Sequence, residues 1–226
     1  MRRLLLAAIA LCVIAGLVAL GVWQLQRRTW KLALIDQVEH RLAAPPVPAP
    51  GPAAWPAIGP QSTYTRLSVH GLLLNDRTTF TQAVTDFGPG FWAMTPMKTD
   101  GGFTLLVNRG FVPTQALPAT KAADSVTITG LLRTTEPKGG FLHTNDPAAD
   151  RWYSRDVAAI AARRSLGPVA PYFIDADRVS EPGSPRGGLT IVTFPNNHLQ
   201  YALTWFAMAG LLTFASVRMV LRPSRD

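Results

Sequence analysis

The sequence predicts a membrane-anchored α+β protein, in which two transmembrane helices flank one antiparallel, β-rich domain that could close into a barrel. Residues 4–23 and 199–217 carry no charged side chain. At about 1.5 Å per residue, each run is long enough to cross, or nearly cross, roughly 30 Å of hydrocarbon. From Ser62 onward the hydrophobic pattern changes to a period of two, which is typical of strands.

The first apolar run predicts a transmembrane helix over residues 4–25. A cleaved signal peptide is the alternative, because Arg2 and Arg3 resemble its basic leader. The apolar part of such a peptide runs about 7–15 residues and ends at small side chains. This run is longer and leads to Trp23 and Gln24, so an uncleaved anchor is favoured. Because the run begins at the fourth residue, no mitochondrial presequence is expected.

The first helix is expected to continue beyond the membrane to about residue 43. Apolar residues recur there at helical spacing, namely Leu32, Ile35, Val38 and Leu42. Pro45 and Pro46 then end the pattern. Residues 45–60 contain seven prolines, which predict an extended strap without a helix or a central strand.

The region between the apolar runs predicts one domain over residues 44–195. Its strands are expected at 63–72, 78–84, 91–98, 103–108, 125–134, 172–175 and 189–193. One helix is expected over residues 156–166, begun by Ser154 or Asp156 as N-cap and ended by Gly167.

The second apolar run predicts a transmembrane helix over residues 198–218, followed by a short tail over 219–226. Three arginines follow this run, at positions 218, 222 and 225, whereas only Arg186 lies shortly before it. Basic residues near a span favour the cytoplasmic side. Both termini are therefore expected in the cytoplasm and the main domain in the periplasm, with a bacterial inner membrane as the location.

The distribution of charge argues against nucleic-acid binding. The formal net charge is +8, yet residues 32–197 hold 14 basic and 13 acidic residues, so the folded domain lacks the basic surface that nucleic acid requires. Cys12 is the single cysteine, which excludes an intrachain disulfide, a multi-cysteine metal site and a sulfur-based copper site.

The sequence offers no pattern typical of an enzyme. The G-x-S-x-G motif of serine hydrolases and the glycine-rich phosphate loops do not occur. Asp175 and Asp177 form a pair of carboxylates, but no histidine lies near them in sequence. A turn after a strand explains this pair better than a metal or acid–base site.

His198 is the histidine whose position suggests a ligand. It lies at the outer mouth of the second span, where Asn196 or Asn197 can cap the helix. The positive end of the helix dipole favours the neutral imidazole there. Tyr201 and Trp205 follow at i+3 and i+7 and share its helical face.

A similar aromatic stripe, formed by Trp23 and Trp30, lies where the first helix leaves the membrane. An imidazole beside aromatic rings could hold a haem iron axially. An ordinary aromatic belt explains the same residues without any ligand. From the residues alone, the belt is favoured over the ligand.

Small residues recur every four positions along the first span, at Ala8, Cys12 and Gly16. Small side chains let membrane helices approach closely. This ridge is therefore the predicted contact between the two spans.

Three segments resemble, in order, the Surfeit locus protein one (Shy-type) family. They are residues 21–27 (GVWQLQR) with Trp30-Lys31, residues 107–113 (VNRGFVP) and residues 197–206 (NHLQYALTWF). The similarity extends from Gly21 to Phe206, and three motifs of this length in the same order are a specific signal.

The resemblance implies a two-span membrane protein that assists assembly of haem–copper cytochrome c oxidase. In this account it binds haem a and helps to insert it into the catalytic subunit, without being an enzyme. The implied partners are that subunit, the haem a synthesis machinery and the lipid bilayer. Two alternatives stay open: a haem-free scaffold that holds oxidase subunits during assembly, and an unrecognised periplasmic enzyme.

The resemblance also assigns residues. His198 matches the histidine of the family's N-x-H-L-x-Y motif and is the candidate axial ligand of the haem iron. Tyr201, Trp205 and Trp23 are the candidate aromatic contacts of the porphyrin. Arg109 lies in the central motif, which is interpreted as a tight strand-to-turn connection; its guanidinium could instead pair with a haem propionate.

Overall fold

The computed structural model describes residues 2–117, 125–140, 142–178, 184–190, 192 and 194–221. The chain divides into two compact units. One comprises residues 1–39 and 192–226 and contains the two long helices, and the other comprises residues 40–191 and contains the sheet.

The two long helices are α1, Arg2–Ala43, and α3, His198–Leu221. Each is long and apolar enough to cross a membrane, and only 6% of its most apolar window is buried. The core helix of a soluble protein would bury most of that window. Helix α1 runs without a break to Ala43, where the two prolines predicted its end, and α3 extends to Leu221, into the predicted tail.

The helices contact each other at Gly21 of α1 and Phe206 of α3, and the buried residues of α3 are the small Ala202 and Ala209. A Cβ atom built on Gly21 would lie 2.5–2.9 Å from three ring atoms of Phe206. Only glycine therefore lets α3 place an aromatic ring against α1 at this level.

The predicted ridge of small residues is not this contact. Ala8, Cys12 and Gly16 are exposed, and a Cβ atom on Gly16 would meet nothing within 4 Å. The half-buried or buried positions of this stretch of α1 are instead 7, 10, 14, 17, 21 and 24. Residues spaced alternately three and four apart stay on one face of a helix, because a turn holds about 3.6 residues. Residues spaced four apart each time move progressively around the helix and leave that face.

The sheet closes into a five-stranded barrel, in agreement with the predicted β-rich α+β domain. The strands are β1 Val47–Pro48, β2 Arg66–Leu73, β3 Thr79–Thr85, β4 Gly88–Thr99, β5 Thr104–Val112, β6 Ser125–Thr134, β7 Gly139–Gly140, β8 His143–Thr144 and β9 Val169–Ala176. The barrel strands pair in the order β2–β6–β9–β5–β4, and β4 returns to β2. The short strand β1 adds to β2, and β3 adds to β4.

The barrel has an apolar interior and a second core on its outside. The interior cluster includes Leu67, Met97, Leu105, Val107, Leu132, Tyr172 and Ile174. The outer cluster packs helix α2, Val157–Arg163, onto β9 through Ile160 and Phe173. Asp156 is the N-cap of α2, since its carboxylate accepts a hydrogen bond of 3.1 Å from the Ala159 amide.

Two sequence-based expectations about the sheet are wrong. The pairing is not wholly antiparallel, because β5 pairs with β9, and β1 with β2, in parallel. Leu189 and Thr190 are not in a strand, although one was predicted over 189–193; Ile191 and Thr193 lie outside the described residues.

The proline-rich strap is more ordered than an extended segment. It contains β1 and two 3₁₀ helices, Pro52–Ala57 and Pro60–Ser62. Proline suits the first turn of a helix because its fixed φ is already helical. The Trp55 indole packs edge-on against the Phe103 ring, with 5.9 Å between the ring centroids. This contact packs the strap against the domain.

Candidate functional site at the helix seam

His198 is the first residue of α3, and its side chain is half-buried. Its Nδ1 lies 2.8 Å from Oε1 of Gln24 on α1. Gln24 is one turn along α1 from Gly21, so this polar contact lies one turn beyond the contact between Gly21 and Phe206. We call the bonded pair Gln24–His198 the helix seam.

The bond in the helix seam fixes which ring nitrogen carries the hydrogen. An amide oxygen only accepts hydrogen bonds, so Nδ1 must donate. In the neutral imidazole, Nε2 then holds the lone pair. Among the described residues Nε2 has no hydrogen-bond partner. Histidine ligands of metals are commonly oriented in this way, through a hydrogen bond from the second nitrogen.

Asn197 directly precedes the first residue of α3 and so occupies one of the two predicted cap positions. The Asn197 carbonyl accepts a 3.2 Å hydrogen bond from the Tyr201 amide and so closes the first turn. The side-chain oxygen of Asn196 is buried without a partner among the described residues. A buried acceptor without a donor costs about 1–3 kcal/mol, so a donor brought by water or by a ligand would be stabilising beside His198.

The aromatic residues predicted for this site lie in the same unit and offer open surface. Trp23 is 53% exposed and Tyr201 is 56% exposed, and Trp205 is half-buried. The Arg27 guanidinium lies 4.0 Å above the Trp30 ring, one turn beyond the seam. A depression beside α3 is lined by Asn197, Leu199 and Leu203 among others, but His198 is not in its lining. The imidazole is therefore presented at a surface rather than in that depression.

Arg109 lies in the other unit, in β5, where its Nη1 donates a 2.9 Å hydrogen bond to Asn75. The central motif is not a strand-to-turn connection, since Asn108, Arg109 and Gly110 are all inside β5. Trp92 pairs with Phe111 and Met94 with Asn108, so two residues of β5 face one of β4. Asparagine and glycine, which usually indicate turns, here form a β-bulge.

Asp175 forms a buried site that the sequence did not reveal. The strand predicted over 172–175 includes it, and β9 confirms this, but its side chain is only 6% exposed and does not belong to the turn expected for the Asp175 and Asp177 pair. Both carboxylate oxygens accept hydrogen bonds, from Arg155 (3.0 Å), Asn108 (2.8 Å), Thr190 (2.8 Å) and Arg133 (3.3 Å). These donors come from places up to 82 residues apart in the chain, so no local pattern could identify them.

Arg155, beside Asp175, is held as a cation by two carboxylates. Burial alone would lower the pKa of Arg155, but the hydrogen bond to Glu136 and the charges of Asp175 and Glu136 raise it overall. The Nε and Nη2 atoms of Arg155 donate hydrogen bonds to Glu136, and its Nη1 donates to Asp175. All three nitrogens of this guanidinium donate to carboxylates, so the group serves the structure of the domain.

The other histidines of the domain have structural contacts. His70 Nδ1 lies 2.6 Å from a carboxylate oxygen of Asp100, and the His143 ring stacks on Tyr153 with 4.7 Å between centroids. Within the described ranges, no three side chains of His, Cys, Asp or Glu come together as a metal-binding group.

Comparison with known proteins agrees with the motifs. The model of the SURF1 family matches residues 11–210. Surfeit locus protein 1 of Rattus norvegicus is 35% identical over 225 residues, which cover 90% of this chain and 72% of the rat protein. The Homo sapiens protein of the same name is also 35% identical, with 90% and 73% covered. A SURF1-like protein of Monosiga brevicollis is 34% identical, with 85% and 78% covered. On this similarity across nearly its whole length, the chain belongs to the SURF1 family.

Proposed function

We propose that this chain is an assembly factor for haem–copper cytochrome c oxidase, and that it binds haem a through His198 and assists its insertion into the catalytic subunit. Family membership supports the assembly role, since SURF1 proteins are known as cytochrome oxidase assembly factors. In this proposal haem a is a cargo that the chain holds for a time and then releases.

The observation that carries the haem proposal is the hydrogen bond of the helix seam. With Nδ1 donating to Gln24, the lone pair of Nε2 is free to bind iron, and the ring cannot rotate without losing that bond. A side chain oriented before binding loses less entropy when the ligand arrives. Gln24 is then a positioning residue, which acts on the haem only through His198.

The aromatic surroundings suit a flat, apolar cargo. Trp23, Tyr201 and Trp205 would contact the porphyrin faces and edge, which removes apolar area from water. Because the surface is open and only one imidazole is offered, binding would be modest. Transfer to a site with two axial histidines would then be favourable.

We place α1 and α3 across a bacterial inner membrane, with both termini in the cytoplasm and the barrel in the periplasm. Arg218 and the arginines at 222 and 225 in the sequence support this orientation. His198 would then lie at the periplasmic face. The barrel would hold the oxidase subunit during transfer, with haem a received from its synthesis machinery, and the chain would act as a chaperone rather than a catalyst.

The test is the visible spectrum of the full chain, purified in detergent from cells that make haem a. We expect bound haem in the wild type, its loss in His198→Ala, and its retention in His143→Ala. His143 is an exposed histidine stacked on Tyr153 in the other unit, so its replacement controls for the loss of an imidazole.

The same experiment distinguishes the alternatives. Equal haem content in His198→Ala and in the wild type would remove His198 as the ligand. A haem-free wild type from cells that make haem a would favour the scaffold that only holds oxidase subunits. Circular dichroism of each variant establishes that the fold is retained.

A further inference from the structure

A cleft of about 190 Å³ opens on the barrel above Asp175. Its charged lining consists of Asp175, Arg133, Arg155 and Arg186. We propose that this cleft, which we call the arginine cleft, binds a carboxylate group. This proposal concerns the barrel alone and does not depend on haem binding.

The base of the arginine cleft is already neutralised and cannot itself be the ligand site. Each nitrogen of the Arg155 guanidinium already donates to Glu136 or Asp175. Both oxygens of Asp175 accept bonds from the surrounding donors. The carboxylate therefore has no free lone pair facing a cation, and its place in the cleft is to hold the two inner arginines.

Two guanidinium groups keep donors for a ligand. Arg133 makes one long bond of 3.3 Å to Asp175, and its Nη2 is 3.7 Å from Glu136, beyond hydrogen-bond distance. The Arg186 side chain makes no hydrogen bond or ion pair with the part of the chain that the structure describes; its guanidinium lies 4.2 Å above the Phe87 ring. A guanidinium has five N–H donors, so most of those on Arg133 and Arg186 have no acceptor within the described ranges.

Arg186 is held in place by its backbone. Its N–H donates to the Phe111 carbonyl and its carbonyl accepts from the Phe111 amide, both at 2.9 Å. Gly110 makes this approach possible, because it has φ of +123° and a Cβ there would lie 2.2 Å from the Arg186 carbonyl carbon. A cation fixed by two backbone bonds and an aromatic ring is preorganised, unlike a mobile surface arginine.

The charge balance selects a singly charged anion. Arg155 is matched by Glu136 and Arg133 by Asp175, which leaves the single positive charge of Arg186 unmatched. A planar carboxylate fits the forks of guanidinium groups and carries one negative charge. The volume accommodates a short side chain that ends in such a group. The carboxylate could come from an acidic side chain of a polypeptide or from a small free acid.

The test is isothermal titration calorimetry of the full chain in detergent at physiological salt. The probes are an N-acetylated, C-amidated Gly-Glu-Gly peptide, the matching Gly-Gln-Gly peptide, and sodium propionate. We expect the Glu peptide to bind at least about tenfold more tightly than the Gln peptide, because charged hydrogen bonds are lost in the latter. Propionate binding as tightly as the Glu peptide identifies a small acid as the source, and weaker propionate binding identifies a polypeptide.

Arg186→Gln should weaken binding of the better carboxylate by about tenfold or more. Arg77→Gln, which removes the same charge from an exposed arginine near β3, should leave it unchanged. Equal binding of the Glu and Gln peptides without propionate binding, or equal weakening by both substitutions, would overturn the proposal. Because Arg186→Gln should leave the haem spectrum intact, failure here is distinguishable from failure of the haem proposal.

Discussion

The helix seam and the Asp175 cluster place polar groups in opposite situations. In the seam, one hydrogen bond of 2.8 Å commits Nδ1 of His198 and leaves Nε2 without a partner among the described residues. Around Asp175, both carboxylate oxygens are bonded, and Arg155 is only 13% exposed. The seam leaves one ring nitrogen open for an external ligand, whereas the Asp175 carboxylate at the centre of the cluster has both oxygens bonded within the protein.

This difference separates groups that bind from groups that hold the fold. In a buried ion cluster, removing one member lowers the stability of the fold, because its partner charge stays buried without a counter-charge. An imidazole at a surface that uses one nitrogen in a hydrogen bond lowers stability little, and its other nitrogen can donate a lone pair to a metal. Substitutions in the two regions should therefore change different measurements: stability for the cluster and ligand retention for the seam.

The largest effect is expected from Asp175→Ala. The substitution leaves Arg155 and Arg133 without their shared carboxylate, and breaking a buried ion pair costs about 3–5 kcal/mol. Asp177→Ala is the matched control, because its side chain is 41% exposed and its partner is Arg66; an exposed pair contributes about 1 kcal/mol or less. The measurement is denaturant unfolding of the full chain in detergent. Equal losses in the two variants would show that Asp175 is not the centre of the cluster.

A smaller effect, on the opposite region, is expected from Gly21→Leu. The new side chain meets the Phe206 ring, which already lies within 2.5–2.9 Å of a Cβ position. Overpacking of this kind costs about 1–3 kcal/mol and should also displace Gln24, one turn away. Gly16→Leu is the control, since nothing lies within 4 Å of its Cβ position.

Thermal unfolding and haem content of both glycine variants check this prediction. We expect both to fall in Gly21→Leu and neither to change in Gly16→Leu. The reverse pattern would restore the ridge of small residues at positions 8, 12 and 16 as the helix contact.

Gln24 is expected to act on haem binding by orienting the His198 ring. Gln24→Leu removes the acceptor for Nδ1–H, and loss of such an orienting group typically lowers metal affinity about 10–100-fold. Gln24→Glu keeps an acceptor, so it should retain haem and shift the midpoint potential of the bound iron downward, because a carboxylate makes the ring a stronger donor. Haem content and redox titration are the measurements. Retention in Gln24→Leu equal to the wild type would leave Gln24 without a positioning role.

The sequence predicted the elements whose signals are local. The long α1, its end before Pro45, the strand over 125–134 and the Asp156 cap follow from periodicity and from single residues. His198, Tyr201 and Trp205 could be grouped because a helix brings i, i+3 and i+7 together.

What the sequence did not show depends on contacts between distant segments. Gln24 and His198 are 174 residues apart, and the donors to Asp175 come from several strands and loops. Asn108 and Gly110 are residues typical of turns, yet both lie within β5, at a β-bulge opposite β4. Asn108 bonds Asp175, and Gly110 lets the Arg186 segment approach.

The smallest expected effect concerns Asp150, an ion pair at the edge of the outer core. Burial would raise the pKa of its carboxyl, but hydrogen bonds from the Trp152 indole (2.8 Å) and Arg164 (2.7 Å) lower it overall. The folded chain thus binds this proton more weakly than the unfolded chain. The resulting stability is present above the ordinary Asp value, near pH 4, and is lost as the pH falls through the lower folded value.

Asp150→Asn removes that titration while keeping a residue that tolerates the observed φ of +52°. We expect the variant to be slightly less stable than the wild type at pH 7, and the difference to shrink as the pH falls from 5 toward 3. Thermal unfolding of both proteins across this range is the measurement. A difference that is constant with pH would mean that the Asp150 carboxylate contributes through packing alone. A small, pH-dependent loss here beside a large loss in Asp175→Ala is the result expected if a half-exposed carboxylate contributes less to stability than a buried one.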